Sequence, residues 1–336
     1  MNILITGVTG FVGANLAKRL LHQNYNVVGI TRSIRKDSPL KLLEVDGVDL
    51  VFGDVRDENL IQDVIVDYRI DFVFHLAAQP IVKLAIKEPK CTFMTNVIGT
   101  LNVLEAVREF KVPTIIMSTD KVYGEGYFKR ETDALRPIEP YGASKACADI
   151  IARVYARTYD LPIVVVRPCN IYGPGDVHER IIPNTIRKCL KGESPIIYKG
   201  FTGFREYIYI DDLVDALIFL MHKLLNNELY GEEKVYNIGT GIIKSQEEVV
   251  LEILKHFQGI QPKYVESEHV KKEIRYQSMD STKIRVLGWQ PKTTFEEGIR
   301  KTVEWWKTLY KKQIVEGYTS TDTPTKTTGK EKHKTL

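Results

Sequence analysis

Two short stretches of this chain carry residue types that could do chemistry. Tyr141-Gly142-Ala143-Ser144-Lys145 sets a phenol and an ammonium four residues apart. Met117-Ser118-Thr119-Asp120-Lys121-Val122-Tyr123-Gly124 gathers a hydroxyl, a carboxylic acid and an amine behind an aliphatic run that starts at Pro113. On a helix, residues four apart share a face. A free phenol titrates near ~10, so a neighbouring cation is what would make it a useful base at neutral pH. Tyr141 and Lys145 therefore read either as a base with its tuning cation or, as such spacings often do, as a solvated helix face. The surrounding elements have to decide between the two.

Those elements alternate between strand and helix. Asn2 to Thr6 reads as a buried strand, followed at once by Gly7-Val8-Thr9-Gly10-Phe11-Val12-Gly13 and a helix to about Gln23. Glycines at such a turn let the backbone approach a pyrophosphate, whose charge the free amides of a helix N-terminus can meet. The strand Asn26 to Ile30 ends in Thr31-Arg32-Ser33, where an acid would mark NAD. Arg32, helped by Arg35 or Lys36, would instead accept a 2′-phosphate, which leans toward NADP against the reading of a solvated basic loop. After the strand Val48 to Phe52, Asp54 is placed to meet an adenine and Asp57 to cap the next helix.

The strand Asp71 to Phe74 runs into His75-Leu76-Ala77-Ala78-Gln79, whose small residues would let a cofactor lie against the backbone. His75 itself reads as a packed core histidine. Cys91 to Phe110 is spaced as one long helix, with Asn96 and Gly99 as marks of close approach to a neighbouring strand. The strand Pro113 to Met117 then delivers the reactive cluster, and a helix from Ser144 to Tyr159 carries Lys145. The strand Ile163 to Arg167 ends in Pro168-Cys169-Asn170. Beyond Gly175 come amphipathic patterns at Arg180 to Lys191, Phe204 to Ile210, Asp211 to His222 and Phe295 to Tyr310. The expected fold is α/β: a Rossmann-type doubly wound parallel sheet over 1–175 and a smaller substrate-binding lobe over 176–311 with some returning core elements. A flexible polar tail over 312–336 contains Lys326, Lys330, Lys332 and Lys334.

With 336 residues, 43% apolar and 27% charged, the chain has the mix of an ordinary globular protein. A net charge of +4, part of it from the tail, gives little reason to expect a nucleic-acid partner. No apolar run approaches the ~20 residues that span a bilayer. Because the chain opens directly on a strand pattern, no signal peptide is expected. Cys91, Cys147, Cys169 and Cys189 lack C-x-x-C spacing, which points to reduced thiols in a cytoplasmic protein and to no metal site.

Over about residues 1 to 310 the chain resembles the extended short-chain dehydrogenase/reductase family, in particular its NAD(P)-dependent sugar-nucleotide epimerases and dehydratases. The resemblance rests on Gly7, Gly10 and Gly13, Asp54, Leu76-Ala77-Ala78, Ser118-Thr119, Tyr141 with Lys145 and Arg167-Pro168 with Asn170 and Tyr172-Gly173-Pro174. Further along it rests on Arg205 to Asp212 and Leu287-Gly288-Trp289-Gln290-Pro291. It implies cofactor contacts from Gly7, Thr9, Gly10, Phe11, Val12, Gly13, Arg32, Asp54, Val55, Leu76, Ala77, Ala78, Tyr141, Lys145 and Pro168. Substrate contacts would come from Gln79, Asn170, Arg180, Arg205 and Arg275, with Asn170 and Arg205 on the diphosphate. Arg205 reads alternatively as the partner of a neighbouring acid. A homodimer of the helices from about Asn96 and Ser144 is implied as well.

Within that family an acid directly after the threonine is similar to the 4,6-dehydratases. Asp120-Lys121 and Gly175-Asp176 with Arg180-Ile181-Ile182-Pro183 look like the CDP-glucose enzymes, and the basic Thr31-Arg32-Ser33 loop like the GDP-mannose enzymes. The catalytic set implied is Thr119, Asp120, Lys121, Tyr141 and Lys145. In it Tyr141 is the base at sugar carbon 4 and Asp120 the acid at carbon 6. Lys121 stands where glutamate is usual, as base or as a partner that holds Asp120. The rival readings are a 4-epimerase, which needs no acid at 120, and a catalytically silent nucleotide-binding scaffold.

Overall fold

Near-continuous aliphatic runs pair in parallel because such strands are buried on both faces. The computed structural model describes residues 1–200, 203–229, 234–266 and 274–315. In chain order the strands are β1 (Asn2–Thr6), β2 (Asn26–Thr31), β3 (Val48–Phe52), β4 (Phe72–His75), β5 (Thr114–Met117), β6 (Gly126–Lys129) and β7 (Ile163–Pro168). They continue with β8 (Asn170–Tyr172), β9 (Ile196–Lys199), β10 (Phe204–Tyr209), β11 (Val235–Ile238), β12 (Ile243–Ser245), β13 (Lys263–Glu266) and β14 (Tyr276–Met279).

The main sheet has the order β11-β7-β5-β4-β1-β2-β3 with parallel pairing throughout. Side chains alternate across it with period two. Ile3, Ile5, Ile115, Val164 and Val166 join an apolar cluster with Leu16, Leu20, Leu213 and Leu217 of the helices Phe11–His22 and Ile210–Leu225. Leu4, Val28, Ile116, Ile163 and Val165 join Ile61, Val103, Leu104 and Val107 of the helices Leu60–Asp67 and Gly99–Phe110 on the opposite face. Helices on both faces make the sheet doubly wound. Its strand order reverses between β1 and β4, and a crevice opens at such a switch point.

A second sheet, β12-β10-β14-β6 with β8 beside β10, stands at the C-terminal end of the first, and β13 pairs with β9. The sheets interleave along the chain: β6 precedes the expected boundary at 175 yet lies in the second sheet, while β11 returns to the first. β8 follows β7 after a single residue, so one turn of chain connects the two sheets.

Four local expectations change. The helix expected from Ser144 begins at Pro140 and runs to Thr158, because Glu139 accepts the Tyr141 and Gly142 amides (2.7 and 2.6 Å) and proline suits the first turn. Cys91 to Phe110 is not one regular helix: α-helix at Pro89–Phe93 passes through a π-helical turn at Met94–Ile98 into Gly99–Phe110. Asp57 caps no helix; it accepts the Asn59 amide at 3.1 Å, one residue short of the helix. The last helix, Phe295–Val315, takes in residues 312–315 of the expected tail. The remainder of that tail, with its four lysines, lies outside the described residues.

Candidate active site

At the switch point the backbone itself is the cradle. Gly7 has φ +74°, a left-handed conformation that suits glycine, and a side chain on it would stand 2.9 Å from the Ala77 backbone. A β-carbon on Gly13 would overlap the Gly7 carbonyl oxygen, and one on Gly10 would lie 3.2 Å from that oxygen. The Leu76 and Ala77 amides donate to the Thr6 hydroxyl (3.2 and 3.1 Å), and Thr9 meets Thr31 at 2.9 Å. Gly10 caps the helix Phe11–His22 without a side-chain acceptor, so no side chain occupies its first amides. Phe11 is buried and Val12 half-buried, which leaves their backbone for a ligand. These residues suit a dinucleotide pyrophosphate.

The rim is more mixed. Arg32 is exposed beyond β2, whereas Arg35 is committed to Asp37 (2.9 and 2.7 Å). Asp54 is held by Arg56 (3.0 and 2.7 Å), which lowers its carboxyl from the ordinary value. Val55 is buried, with its carbonyl on the Asn102 amide at 3.0 Å, and Gly99 lies against its side chain. Ala78 follows Ala77 along the crevice, and buried Pro168 ends β7. His75 is clamped between Thr6 (2.8 Å) and Thr100 (3.0 Å), and burial pushes its imidazole down to about 3, as befits a neutral core histidine.

Gln79, expected at the substrate, is engaged within its own loop and with Thr92. Its side-chain oxygen accepts the Ile81 amide (2.7 Å), and its nitrogen donates to Ile81 O (3.2 Å) and Thr92 Oγ1 (2.9 Å). Asn96 ties the same loop to the Tyr141 helix, taking the Gln79 amide at 2.7 Å and donating to Ser144 Oγ at 2.9 Å. Asn96 and Gly99 thus mark close approaches to the loops after β4 and β3 rather than to a strand.

At the end of β5 the chain turns into a short 3₁₀ helix, Asp120–Tyr123, capped by Thr119. The Thr119 hydroxyl donates to Asp120 Oδ1 at 3.0 Å. Lys121 Nζ donates to both carboxylate oxygens of Asp120 (3.0 and 3.2 Å), to Asn170 Oδ1 (3.1 Å) and to Gln277 Oε1 (2.6 Å). Asp120 is only 2% exposed. Burial lowers the Lys121 amine from its ordinary value, assisted by Arg205 and Arg180 and opposed by Asp120.

Tyr141 and Lys145 lie one turn apart on the helix Pro140–Thr158. Burial pushes the phenol up to about 12; the influences that favour its ionised form are Arg180 and the Thr119 hydroxyl. Burial brings the Lys145 ammonium down to about 8, against the charge of Asp149. Arg180, the cap of the helix Ile181–Leu190, is therefore the chief cation acting on the phenol, a task the sequence had suggested for Lys145.

Arg205 donates to Phe204 O at 3.1 Å. Arg275 is exposed, linked to β10 through its carbonyl, which accepts the Phe204 amide at 2.6 Å.

Three buried polar residues make contacts that a reading along the chain does not show. Gln277 from β14 faces Lys121. Glu206, fully buried, accepts the amides of Gly241 (2.7 Å) and Met279 (2.8 Å), and burial pushes its carboxyl up to about 7. Arg167 is fully buried, binding both oxygens of Asp149 (2.8 and 2.7 Å) and the Tyr123 hydroxyl (2.7 Å), and so joins β7 to the helix that carries Tyr141 and Lys145. The one signal for all three is a polar residue inside an apolar strand pattern. Among the described residues no cluster of metal-binding side chains occurs and no helix is long and apolar enough to cross a membrane.

Residues 3–239 match the model of the NAD dependent epimerase/dehydratase family. The low-salt glycan biosynthesis protein Agl12 of Haloferax volcanii is 34% identical over 91% of this chain and 98% of its own length. The UDP-glucose 4-epimerase of Thermotoga maritima, solved with UDP-glucose, superposes with a TM-score of 0.82 at 30% identity, covering 92% of this chain and all of the other. The dTDP-glucose 4,6-dehydratase of Bacillus anthracis, solved with NAD, gives 0.79 at 30% identity over 92% and 97%.

Proposed function

We propose, on the premise that this chain belongs to the NAD dependent epimerase/dehydratase family, that it is a nucleotide-sugar 4,6-dehydratase. The observation that carries the reading is the buried Thr119–Asp120–Lys121 chain of hydrogen bonds beside Tyr141. A 4-epimerase needs no acid at that place, although the likeness to the Thermotoga enzyme keeps epimerisation as the second reading. A nicotinamide dinucleotide fits the glycine cradle. Arg32 is the residue available to a 2′-phosphate, and the Bacillus relative binds NAD. The likeness to CDP-glucose and GDP-mannose enzymes rests on sequence motifs such as Asp120-Lys121 and the basic loop, whereas the two solved relatives above are named for UDP-glucose and dTDP-glucose.

When bound, the cofactor supplies the acceptor, and later the donor, of one hydride. Tyr141 takes the proton of the sugar 4-hydroxyl, with Thr119 orienting that hydroxyl and Arg180 favouring the phenolate. Lys145 holds the ribose. Oxidation at carbon 4 acidifies the proton on carbon 5. Lys121 accepts that proton, the C5–H electron pair becomes the new C5–C6 double bond, and the C6–O bond breaks. Asp120 gives its proton to the departing oxygen, which leaves as water. With carbon 6 reduced, return of the proton from Lys121 to carbon 5 would complete a 4-keto-6-deoxy sugar, and the proton left on Tyr141 would pass through the Thr119 hydroxyl to Asp120, restoring both groups. Arg205 is assigned to the substrate diphosphate, whereas Asn170, expected there as well, is engaged by Lys121 Nζ (3.1 Å) and Glu206 O (2.9 Å). The exposed apolar side chains Ile86, Met94, Ile150 and Val154, on and beside the helices from Pro89 and Pro140, support a homodimer.

Mass spectrometry after incubation with a panel of nucleotide sugars tests the reading: loss of one water supports it, and an unchanged mass at a new retention time supports the epimerase. Asp120→Asn should keep NAD binding and lower product formation by roughly 10²–10⁴-fold, the usual worth of a positioned acid. Undiminished turnover would sink the assignment.

A further inference from the structure

An ammonium has three donors and no acceptor. At Lys121 the three are matched by Asp120, Asn170 and Gln277, drawn from the end of β5, from β8 and from β14. The Gln277 contact, at 2.6 Å, is the shortest of them. The Gln277 side chain is 2% exposed and its amide nitrogen has no partner, so Lys121 is what its buried polar group serves. An amide at an inward strand position with half its hydrogen-bonding capacity unused is a poor structural device. Both neutral acceptors are anchored on one residue: Glu206 O takes the Asn170 amide at 2.9 Å, and the Glu206 carboxylate holds the Met279 amide, two residues beyond Gln277.

We propose that Gln277, with Asn170, is a positioning residue that decides when Lys121 carries a proton: while both hold Nζ it is an ammonium, and it becomes a base only when the Gln277 bond is given up. A neutral amine has two donors and a lone pair, and three inward-facing acceptors leave that lone pair opposite an oxygen. Removing one acceptor therefore frees the position from which the lone pair can take the proton on carbon 5. The charged and titratable groups facing Lys121 act on the same balance. Asp120 favours the ammonium and Arg205 from β10 and Arg180 from the cap of the next helix oppose it, while buried Cys169 feels both Asp120 and Lys121, and Glu206 and Tyr141 feel Asp120. Burial lowers the amine from its ordinary value, and loss of one short acceptor contact lowers it further. The inference rests on the elimination reading above.

The test compares wild type with Gln277→Met, which keeps the length but offers only a weak sulfur acceptor, and Gln277→Glu, which adds a charge. The rate of water loss from the sugar nucleotide picked out by the mass-spectrometric panel is followed against pH. The acid limb should move down by about one pH unit in Gln277→Met and up by a similar amount in Gln277→Glu, the scale expected for one short hydrogen bond or charge. Loss of packing would lower both rates at every pH without moving the limb. Folded variants that keep the wild-type limb would overturn the proposal. Should the wild type epimerise and release no water, the elimination reading fails, and the proposal is judged on Lys121 itself. Reductive methylation of the NAD-bound protein, read on the Lys121 peptide, should begin at lower pH in Gln277→Met and higher pH in Gln277→Glu; coincident onsets would reject it.

Discussion

The two ends of the crevice are built on different principles. The glycine turn between β1 and the first helix is a local object: seven consecutive residues set a backbone path whose amides do the binding, and side chains matter there mainly by being absent. The acid–base centre is the reverse. Its polar groups come from the end of β5, from β8, from β14 and from the start of two helices, and all of them are side chains. A backbone cradle is robust to its neighbours and intolerant of added atoms. A side-chain cluster depends on distant supports.

That contrast can be broken or sharpened by experiment. The largest effect is expected at Arg167. Replacing it with leucine leaves the buried Asp149 carboxylate with Arg153 (3.0 Å) in place of two cations, which should cost about 3 kcal/mol of unfolding free energy in urea titrations. If the loss is small, the side-chain centre does not depend on this remote ion pair. Next comes Gly13→Ala, whose methyl would overlap the Gly7 carbonyl. We expect about 2–3 kcal/mol of destabilisation together with much weaker NAD binding by calorimetry. Retained affinity would show that the cradle accommodates atoms after all.

The smallest effect concerns Glu206, the support of both neutral acceptors of Lys121. Its carboxyl is raised from 4.5 to about 7, so its contribution to stability is complete below about pH 4.5 and is lost as pH rises through about 7. Between about pH 6 and pH 8 the wild type should lose about 1 kcal/mol that Glu206→Gln does not lose, measured as the difference in slope of unfolding free energy with pH. Parallel slopes would mean that Glu206 does not titrate in this window.

Much of the frame was legible along the chain. Aliphatic runs placed β1 to β5 and β7 to within a few residues, and helical spacing did nearly as well for the helices after β1, before β5 and before β7, while the helices Pro39–Leu42 and Val82–Lys87 went unread. The glycine spacing pointed to the crevice for the same reason that the crevice is robust: it is contiguous. The misses are instructive. The Tyr141 helix begins at Pro140 because the Glu139 side chain folds back onto two amides, and acidic caps of this kind are easily overlooked beside a proline. The π-helical turn at Met94–Ile98 leaves no mark in hydrophobic spacing. Gln79 looked available because a sequence does not show that Ile81 and Thr92 have claimed its amide. Tyr141 and Lys145 were visible as a pair, yet the cation that most favours the phenolate is Arg180, from a loop of the other half of the molecule.

By itself the sequence determined the alternation of strands and helices, the dinucleotide turn, and the adjacency of Thr119, Asp120 and Lys121, since each is a matter of neighbours along the chain or of residues repeating with the period of their own element. Only the tertiary structure decided that the Lys121 ammonium meets Asn170 and Gln277, that Glu206 anchors both, and that Arg167 ties β7 to the helix of Tyr141. Those groups lie tens to more than a hundred residues apart. A buried charge is governed by whatever polar atoms happen to surround it in space, because in a medium of low polarity a contact of three ångströms outweighs any pattern written in one dimension.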